Sequence, residues 1–379
     1  MNPLKPQLSE SAMERLGHIM IPFTTNTPLA KATGLGIRNE AIVRRTVSAP
    51  VQFGTKLVGY KTPATRRRLR EVSAAAQLRE AAAESSGDSS AAGRSNPVRP
   101  LVNWHEGGSG PALLLLNGFT ASGLVWPEAW VRSLEEHYRV IRIDNRGTGW
   151  SRSAPAPFTL GDLADDARDV LRACGIIQAT VLGISMGGMI AQELAIRHGD
   201  FVDELILVAT RPPTPAQIAP GLDGFLVLMR QPPAGSDLHE FLIDAWGQTV
   251  GEGFADAHPE VMTEIADQAI ERVTPRSGIV SQARAIAAWN GPSRLRRITA
   301  HTTVVHGNRD KLMPVGNGMR LTRLIPDANY IELPGVGHLV PQEAGDALLE
   351  FLQRGTQVSA ESSQSTKGDS PASAASDVT

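Results

Sequence analysis

Apolar positions in the middle of this chain come in short unbroken runs, separated by stretches with helical spacing. Leu113-Leu114-Leu115-Leu116, Val181-Leu182, Leu205 to Ala209 and Thr302 to His306 read as buried strands, and Asn329 to Leu333 alternates like a strand with one wetter face. Met189, Ile190, Leu194 and Ala195 fall at helical spacing directly after the second of these runs. Strands that alternate with helical patterns predict an α/β fold with a mostly parallel, doubly wound sheet. The strand ending near Ala209 and the one starting near Thr302 are far apart, and residues 211–297 between them predict a helical lid insertion. Pro212-Pro213-Thr214-Pro215 and Gln231-Pro232-Pro233 break that segment up. Between the breaks Ile218, Leu222 and Phe225 to Met229 form an apolar stretch, continued by Phe241, Leu242, Ile243 and Trp246 and later by Ile279, Ile286, Ala287 and Trp289.

The pattern gives one pentapeptide a particular setting. Gly183-Ile184-Ser185-Met186-Gly187 lies between the Val181-Leu182 strand and the helix that follows, so Ser185 is expected on a strand-to-helix turn. Small flanking residues permit a tight turn that exposes the hydroxyl above the sheet and aims backbone N–H groups at one spot. A serine needs a base, and the base needs a group to orient it. Asp310 follows the Thr302 to His306 strand in a polar loop, and His338 follows Asn329 to Leu333 after Gly335-Val336-Gly337. In a parallel sheet these loops all leave the carboxyl ends of strands and converge above one edge. Ser185 is then the nucleophile, His338 the base and Asp310 the group that holds the imidazole tautomer. The competing readings are a turn aspartate in Asn308-Arg309-Asp310-Lys311 and a histidine that caps a Gly-rich loop. His306 is expected to pack at a strand end, and the remaining histidines to lie on surfaces or in loops.

With these residues the chain resembles the α/β-hydrolase family over residues 101–354. Leu116-Asn117-Gly118-Phe119 stands where such enzymes carry His-Gly-x after a buried strand, with Trp126 beyond it, and Asp144-Asn145-Arg146-Gly147-Thr148-Gly149-Trp150-Ser151 is similar to the family's Asp-x-Arg-Gly-x-Gly-x-Ser turn. The resemblance implies an α/β-hydrolase fold, and an oxyanion hole made by the backbone N–H groups of Phe119 and Met186. Asn117 departs from the usual histidine and reads as a turn-stabilising amide, with substrate contact as the alternative. Asp144 and Arg146 read as scaffold. A serine at the elbow sets the chain apart from relatives that open epoxides or displace halide with a carboxylate, and implies acyl transfer without a cofactor or metal. The expected activity is cleavage of a carboxylic ester (an apolar acyl or aromatic ester, a lactone or a polyester). Transfer to an alcohol or to hydrogen peroxide, C–C bond hydrolysis and a non-catalytic binding role are the alternatives. Gly318-Met319-Arg320-Leu321 and Ile325-Pro326-Asp327-Ala328 also look similar to intracellular polyhydroxyalkanoate depolymerases and to enol-lactonases.

Composition adds an asymmetry. The 379 residues carry a formal net charge of −2, yet the first hundred hold fifteen Lys and Arg against seven Asp and Glu, and the basic residues peak between Lys56 and Arg79. Residues 1–84 are therefore read as a basic, partly helical extension, 85–100 as a flexible linker and 355–379 as a disordered Ser/Ala-rich tail. The extension is compatible with packing on its own acidic domain or dimerisation, with adhesion to an anionic lipid or granule surface, and least with nucleic acid, since no base-reading helix or interleaved aromatics accompany the arginines. The single Cys174 excludes an intrachain disulfide and a cysteine metal cluster. No signal-peptide pattern and no run of about eighteen apolar residues appears, so a soluble, cytoplasmic protein with a small ester substrate is expected.

Overall fold

The computed structural model describes residues 100–353 apart from 153, 229 and 234; the extension, nearly all of the linker, and the tail lie outside the described residues. In chain order the first half comprises β1 (Trp104–Gly107), β2 (Ala112–Leu116), α1 (Glu128–Glu135), β3 (Arg139–Ile143), α2 (Leu160–Ala173), β4 (Ala179–Ile184), α3 (Met186–Arg197) and β5 (Val202–Val208). The helices α4 (Leu222–Leu228), α5 (Leu238–Gly247), α6 (Phe254–Ala257), α7 (Pro259–Glu271) and α8 (Arg276–Ala288) follow as one insertion. Then come β6 (His301–Gly307), α9 (Gly316–Leu324), β7 (Asn329–Leu333) and α10 (Val340–Glu343). The strands form one sheet in the order β1-β3-β2-β4-β5-β6-β7. Among the described residues only β1 runs antiparallel to its neighbour, and the other strand pairings are parallel.

The unbroken apolar runs are explained by burial on both faces, as parallel sheets require. Leu113 and Leu115 of β2, with Leu182, Ile206 and Val305, pack against Val131 and Leu134 of α1. Leu114 and Leu116, with Val181, Leu205 and Val304, pack on the other face against Leu163 and Val170 of α2 and Met189 and Ile190 of α3. Each leucine buried this way contributes about 1.5–3 kcal/mol. A third, smaller cluster joins Val250, Met262 and Ile265 of the insertion to Leu339.

Local chemistry sets the helix limits. Thr159 and Asp162 form a reciprocal capping box at the start of α2, the Asp237 carboxylate caps α5, and proline opens α7. Several boundaries differ from the sequence expectation: β4 extends over Ala179–Ile184, β6 over His301–Gly307, and β5 begins at Val202. Ala209 is outside β5 with φ of 45°, because the chain turns there so that Thr210 can reach the Ser185 carbonyl. Trp289 lies beyond α8, buried in the core, where its Nε1 donates to Glu193 of α3 at 2.7 Å.

The sheet order fixes where a site can form. From β2 the chain moves to β3 on one side, and from β3 it returns to β4 on the other, so the loops after β2 and β4 diverge and leave a crevice between them. No helix among the described residues is long and apolar enough to cross a membrane.

Candidate active site

Ser185 stands between β4 and α3 with φ 55° and ψ −119°, a backbone state that a residue with a side chain occupies only under constraint. The constraints are visible. Its N–H donates to Val208 O at 3.0 Å, and its carbonyl accepts from the Thr210 hydroxyl at 2.6 Å and from Gly188 N at 3.1 Å. The flanking glycines are required by contact: a Cβ at Gly183 would run into the Gly187 carbonyl oxygen, and one at Gly187 into the Leu116 carbonyl oxygen. Helix α3 therefore starts hard against the end of β2. Met186, its first residue, is an N-terminal amide that has no partner within the helix.

Across the crevice, Gly118 brings its Cα so close that an added Cβ would lie 3.4 Å from Ser185 Cβ and 3.9 Å from Ser185 Oγ. The Phe119 amide follows, within the turn closed by Ala121 N donating to Gly118 O at 3.3 Å. Met186 N, at the start of α3, and Phe119 N, in the loop after β2, thus lie on the two segments that adjoin the serine.

Asp310 and His338 meet at the ends of β6 and β7. His338 Nδ1 donates to Asp310 Oδ2 at 2.8 Å, while Asp310 Oδ1 accepts from Leu312 N at 2.9 Å and Met313 N at 2.8 Å. The Asp310 side chain is fully buried. Burial by itself raises its pKa, but the charge of His338 and hydrogen bonds from His306 and His338 outweigh it and bring the pKa down to about 2. An ionised acceptor opposite Nδ1 holds a proton on that nitrogen and leaves Nε2 as the ring nitrogen free to exchange one. Ser185 Oγ and His338 are not hydrogen-bonded in this structure; nucleophile–base contacts of this kind commonly tighten only in the Michaelis complex.

A family model for the alpha/beta hydrolase fold matches residues 111–344. The chain belongs to the α/β-hydrolase family. Among curated relatives, this hydrolase is 28% identical over 249 residues to a candidate carbamate hydrolase, RutD, of Caulobacter vibrioides, covering 64% of this chain and 90% of the relative. It is 28% identical over 265 residues to the pimeloyl-acyl-carrier-protein methyl ester esterase of Vibrio atlanticus, covering 66% and 98%. A thermophilic esterase from Thermogutta terrifontis superposes with a TM-score of 0.56 at 25% identity, covering 68% of this chain and 93% of that one.

Beneath the site of the hydrolase, Asp144 is wholly buried and ties two loops together, accepting from Gly123 N at 2.6 Å and Trp150 N at 2.7 Å. Arg146 makes a two-pronged ion pair with Asp166. Both act as scaffold. Asn117 does not stabilise its turn through the side chain: its Nδ2 is buried without a hydrogen-bond partner among the described residues, and the backbone carbonyl instead accepts from Asn145 Nδ2 at 3.2 Å.

Sequence reasoning missed three features. His306 is more than a packed strand end: its Nε2 lies 2.7 Å from Met313 O and 3.4 Å from Asp310 Oδ2, so it braces the Asp310 loop. The spacing of four residues to Asp310 was the available signal. Glu343 accepts from Gly251 N at 2.6 Å, Gly337 N at 2.9 Å and Leu339 N at 3.2 Å, tying the histidine loop to the insertion. Gln282 reaches from α8 to the loop after β2, and its sequence carries no signal of that. His105 sits on β1, on the sheet and not in a loop.

Proposed function

We propose that this hydrolase is a serine enzyme that cleaves a carboxylic ester through an acyl-enzyme, with Ser185 as nucleophile, His338 as general base and acid, and Asp310 as the group that orients His338. The observation that carries the reading is the constrained Ser185 backbone at the head of α3, on the same sheet edge as a histidine hydrogen-bonded at 2.8 Å to a buried, ionised aspartate. In acylation Ser185 Oγ attacks the carbonyl carbon and its proton passes to His338 Nε2. The carbonyl oxygen becomes an oxyanion received by Phe119 N–H and Met186 N–H, and the proton is then delivered to the leaving alkoxide. Water repeats the sequence on the acyl-enzyme and releases the acid. The helix dipole of α3 adds positive potential where the oxyanion forms.

Residues 211–297 act as the lid in this reading. Helix α4 sits on the Asp310 loop, its Gly224 against the Lys311 carbonyl, and leaves Leu222, Leu226 and Leu228 exposed. That apolar surface supports an apolar acyl, aromatic, lactone or polyester substrate, and the methyl ester esterase among the relatives supports ester cleavage. Carbamate cleavage is a second reading favoured by the Caulobacter relative, and it would use the same attack on a carbonyl carbon.

The test is labelling by a fluorophosphonate probe, followed by a chain-length series of aryl esters and matched aryl carbamates. Wild-type protein should be labelled and Ser185→Ala should not. Esters of medium or long acyl chain should turn over faster than acetate. Absence of labelling of the folded wild type removes the serine-enzyme reading, and faster carbamate turnover would move the substrate assignment to the second reading.

A further inference from the structure

The turn that carries Phe119 contains an energetic conflict. Gly118 O accepts from Ala121 N, which makes Phe119 and Thr120 the central residues of a β-turn, and Thr120 has φ of 62°. A positive φ at the second central position is the place for glycine or asparagine; a β-branched residue there is held against its own preference. Released, Thr120 would relax toward negative φ by turning over the central Phe119–Thr120 peptide, and the adjoining Gly118–Phe119 peptide that presents the Phe119 N–H would be displaced with it.

The insertion holds both backbone polar groups of Thr120. Gln282 Oε1 accepts from Thr120 N at 2.9 Å, and Thr274 Oγ1 donates to Thr120 O at 2.7 Å. The Gln282 side chain is itself fixed, because its Nε2 donates to Arg146 O at 3.1 Å and it is fully buried. Its reach is set by a close contact one turn earlier on α8. A Cβ at Gly147 would lie 2.8 Å from Gly278 Cα, and one at Gly278 would run into the Gly147 carbonyl oxygen. The helix is thus seated on the loop of the Asp144–Ser151 motif at a depth only glycine permits, and Gln282 meets Thr120 at hydrogen-bond distance as a result.

We propose that Gln282, assisted by Thr274, is a positioning residue for the oxyanion site: it holds Thr120 in the left-handed region and so aims the Phe119 N–H at the oxygen of the tetrahedral intermediate. The inference rests on the serine-enzyme reading above. Neither residue touches the reacting atoms; both act through the turn.

The experiment measures the second-order rate of fluorophosphonate labelling, with kcat and KM on the best aryl ester, for wild type, Gln282→Met, Thr274→Val and the double variant Gln282→Met with Thr120→Gly. Methionine keeps the volume of glutamine but cannot accept from Thr120 N. Labelling and kcat should fall about tenfold or more in Gln282→Met, with KM changed by less than about threefold, since loss of a whole oxyanion donor costs about a hundredfold and this variant only misdirects one. Adding Thr120→Gly should restore much of the rate, because glycine adopts the positive φ without being held. Folding is checked by the melting transition; if Gln282→Met does not fold, Thr274→Val is read in the same way, with Thr274→Val plus Thr120→Gly as its rescue. An unchanged rate in the folded single variant, or a slow rate that Thr120→Gly leaves slow, overturns the proposal while the serine-enzyme reading stands. A folded wild type that is not labelled overturns both.

Discussion

Replacing Asp310 by asparagine tests the electrostatic core of the site with almost no change of shape. The carboxylate faces only donors: Leu312 N and Met313 N on Oδ1, and His338 Nδ1 on Oδ2, with His306 Nε2 at 3.4 Å from the same oxygen. The difference between an ordinary 3.8 and about 2 amounts to about 2 kcal/mol in favour of the charged form, at about 1.4 kcal/mol per pH unit. An amide offers one oxygen and one NH2 group. The oxygen will stay on the two backbone amides, because the opposite orientation would lose both bonds, so the NH2 must face His338 Nδ1. Two donors cannot face each other. His338 then shifts its proton to Nε2, which makes it an acceptor at Nδ1 and removes the basic nitrogen needed by Ser185. The expected loss in kcat is on the order of 10⁴-fold, equivalent to about 5.5 kcal/mol of transition-state stabilisation. Steady-state kinetics on the best aryl ester measures it, with the melting transition showing that the variant is folded. A folded Asp310→Asn enzyme within about tenfold of wild type would refute the assigned roles of Asp310 and His338.

Two further outcomes follow from the same coordinates. Because the Asp310 pKa is depressed in the folded state, its contribution of about 2 kcal/mol is fully present above about pH 4 and is lost as pH falls toward 2. The stability difference between wild type and Asp310→Asn, measured by denaturant unfolding, should therefore shrink over that interval, and a difference independent of pH would contradict it. Gly187→Ala puts a methyl group into the Leu116 carbonyl oxygen and should destabilise the fold by about 3 kcal/mol or more, seen as a lower denaturant midpoint; a midpoint equal to wild type would show that the elbow is less tightly packed than described.

Much of the scaffold was readable because parallel strands buried on both faces leave unmistakable apolar runs. Asn329 to Leu333 was read with its observed limits, and the placement of Ser185, Asp310 and His338 after strand ends was legible because each follows a predicted strand within a few residues. Strand β1 was not legible: Trp104–Gly107 is short, half-buried along its whole length and paired only at the antiparallel edge, so no period marks it. Glu343 and Gln282 were missed for a different reason. Their partners are backbone groups far away in sequence, 92 residues away for Glu343 with Gly251 and 162 for Gln282 with Thr120, and a backbone amide has no residue type for a motif to record. His306 stood next to its signal, but a buried histidine at a strand end has no special meaning until the carboxylate beside it is seen.

Glu343 and Gln282 both join the insertion to the candidate site. An insertion that only covered a site would contact its rim. Here it holds both halves of the proposed site from behind. On the base side, His338 N donates to Thr249 O at 2.8 Å, Glu343 joins Gly251 to Gly337, and Leu339 belongs to the insertion's own apolar cluster. On the oxyanion side, Gln282 and Thr274 grip Thr120. The central elbow, by contrast, is fixed from within the sheet by Val208, Thr210 and the contact of Gly187 with Leu116. Ser185 is therefore held by the core, whereas His338 and the Phe119 turn take their positions partly from residues 249–282. Exchanging this insertion for one that places no acceptor at Thr120 N and no carbonyl at His338 N would then alter turnover as well as substrate choice.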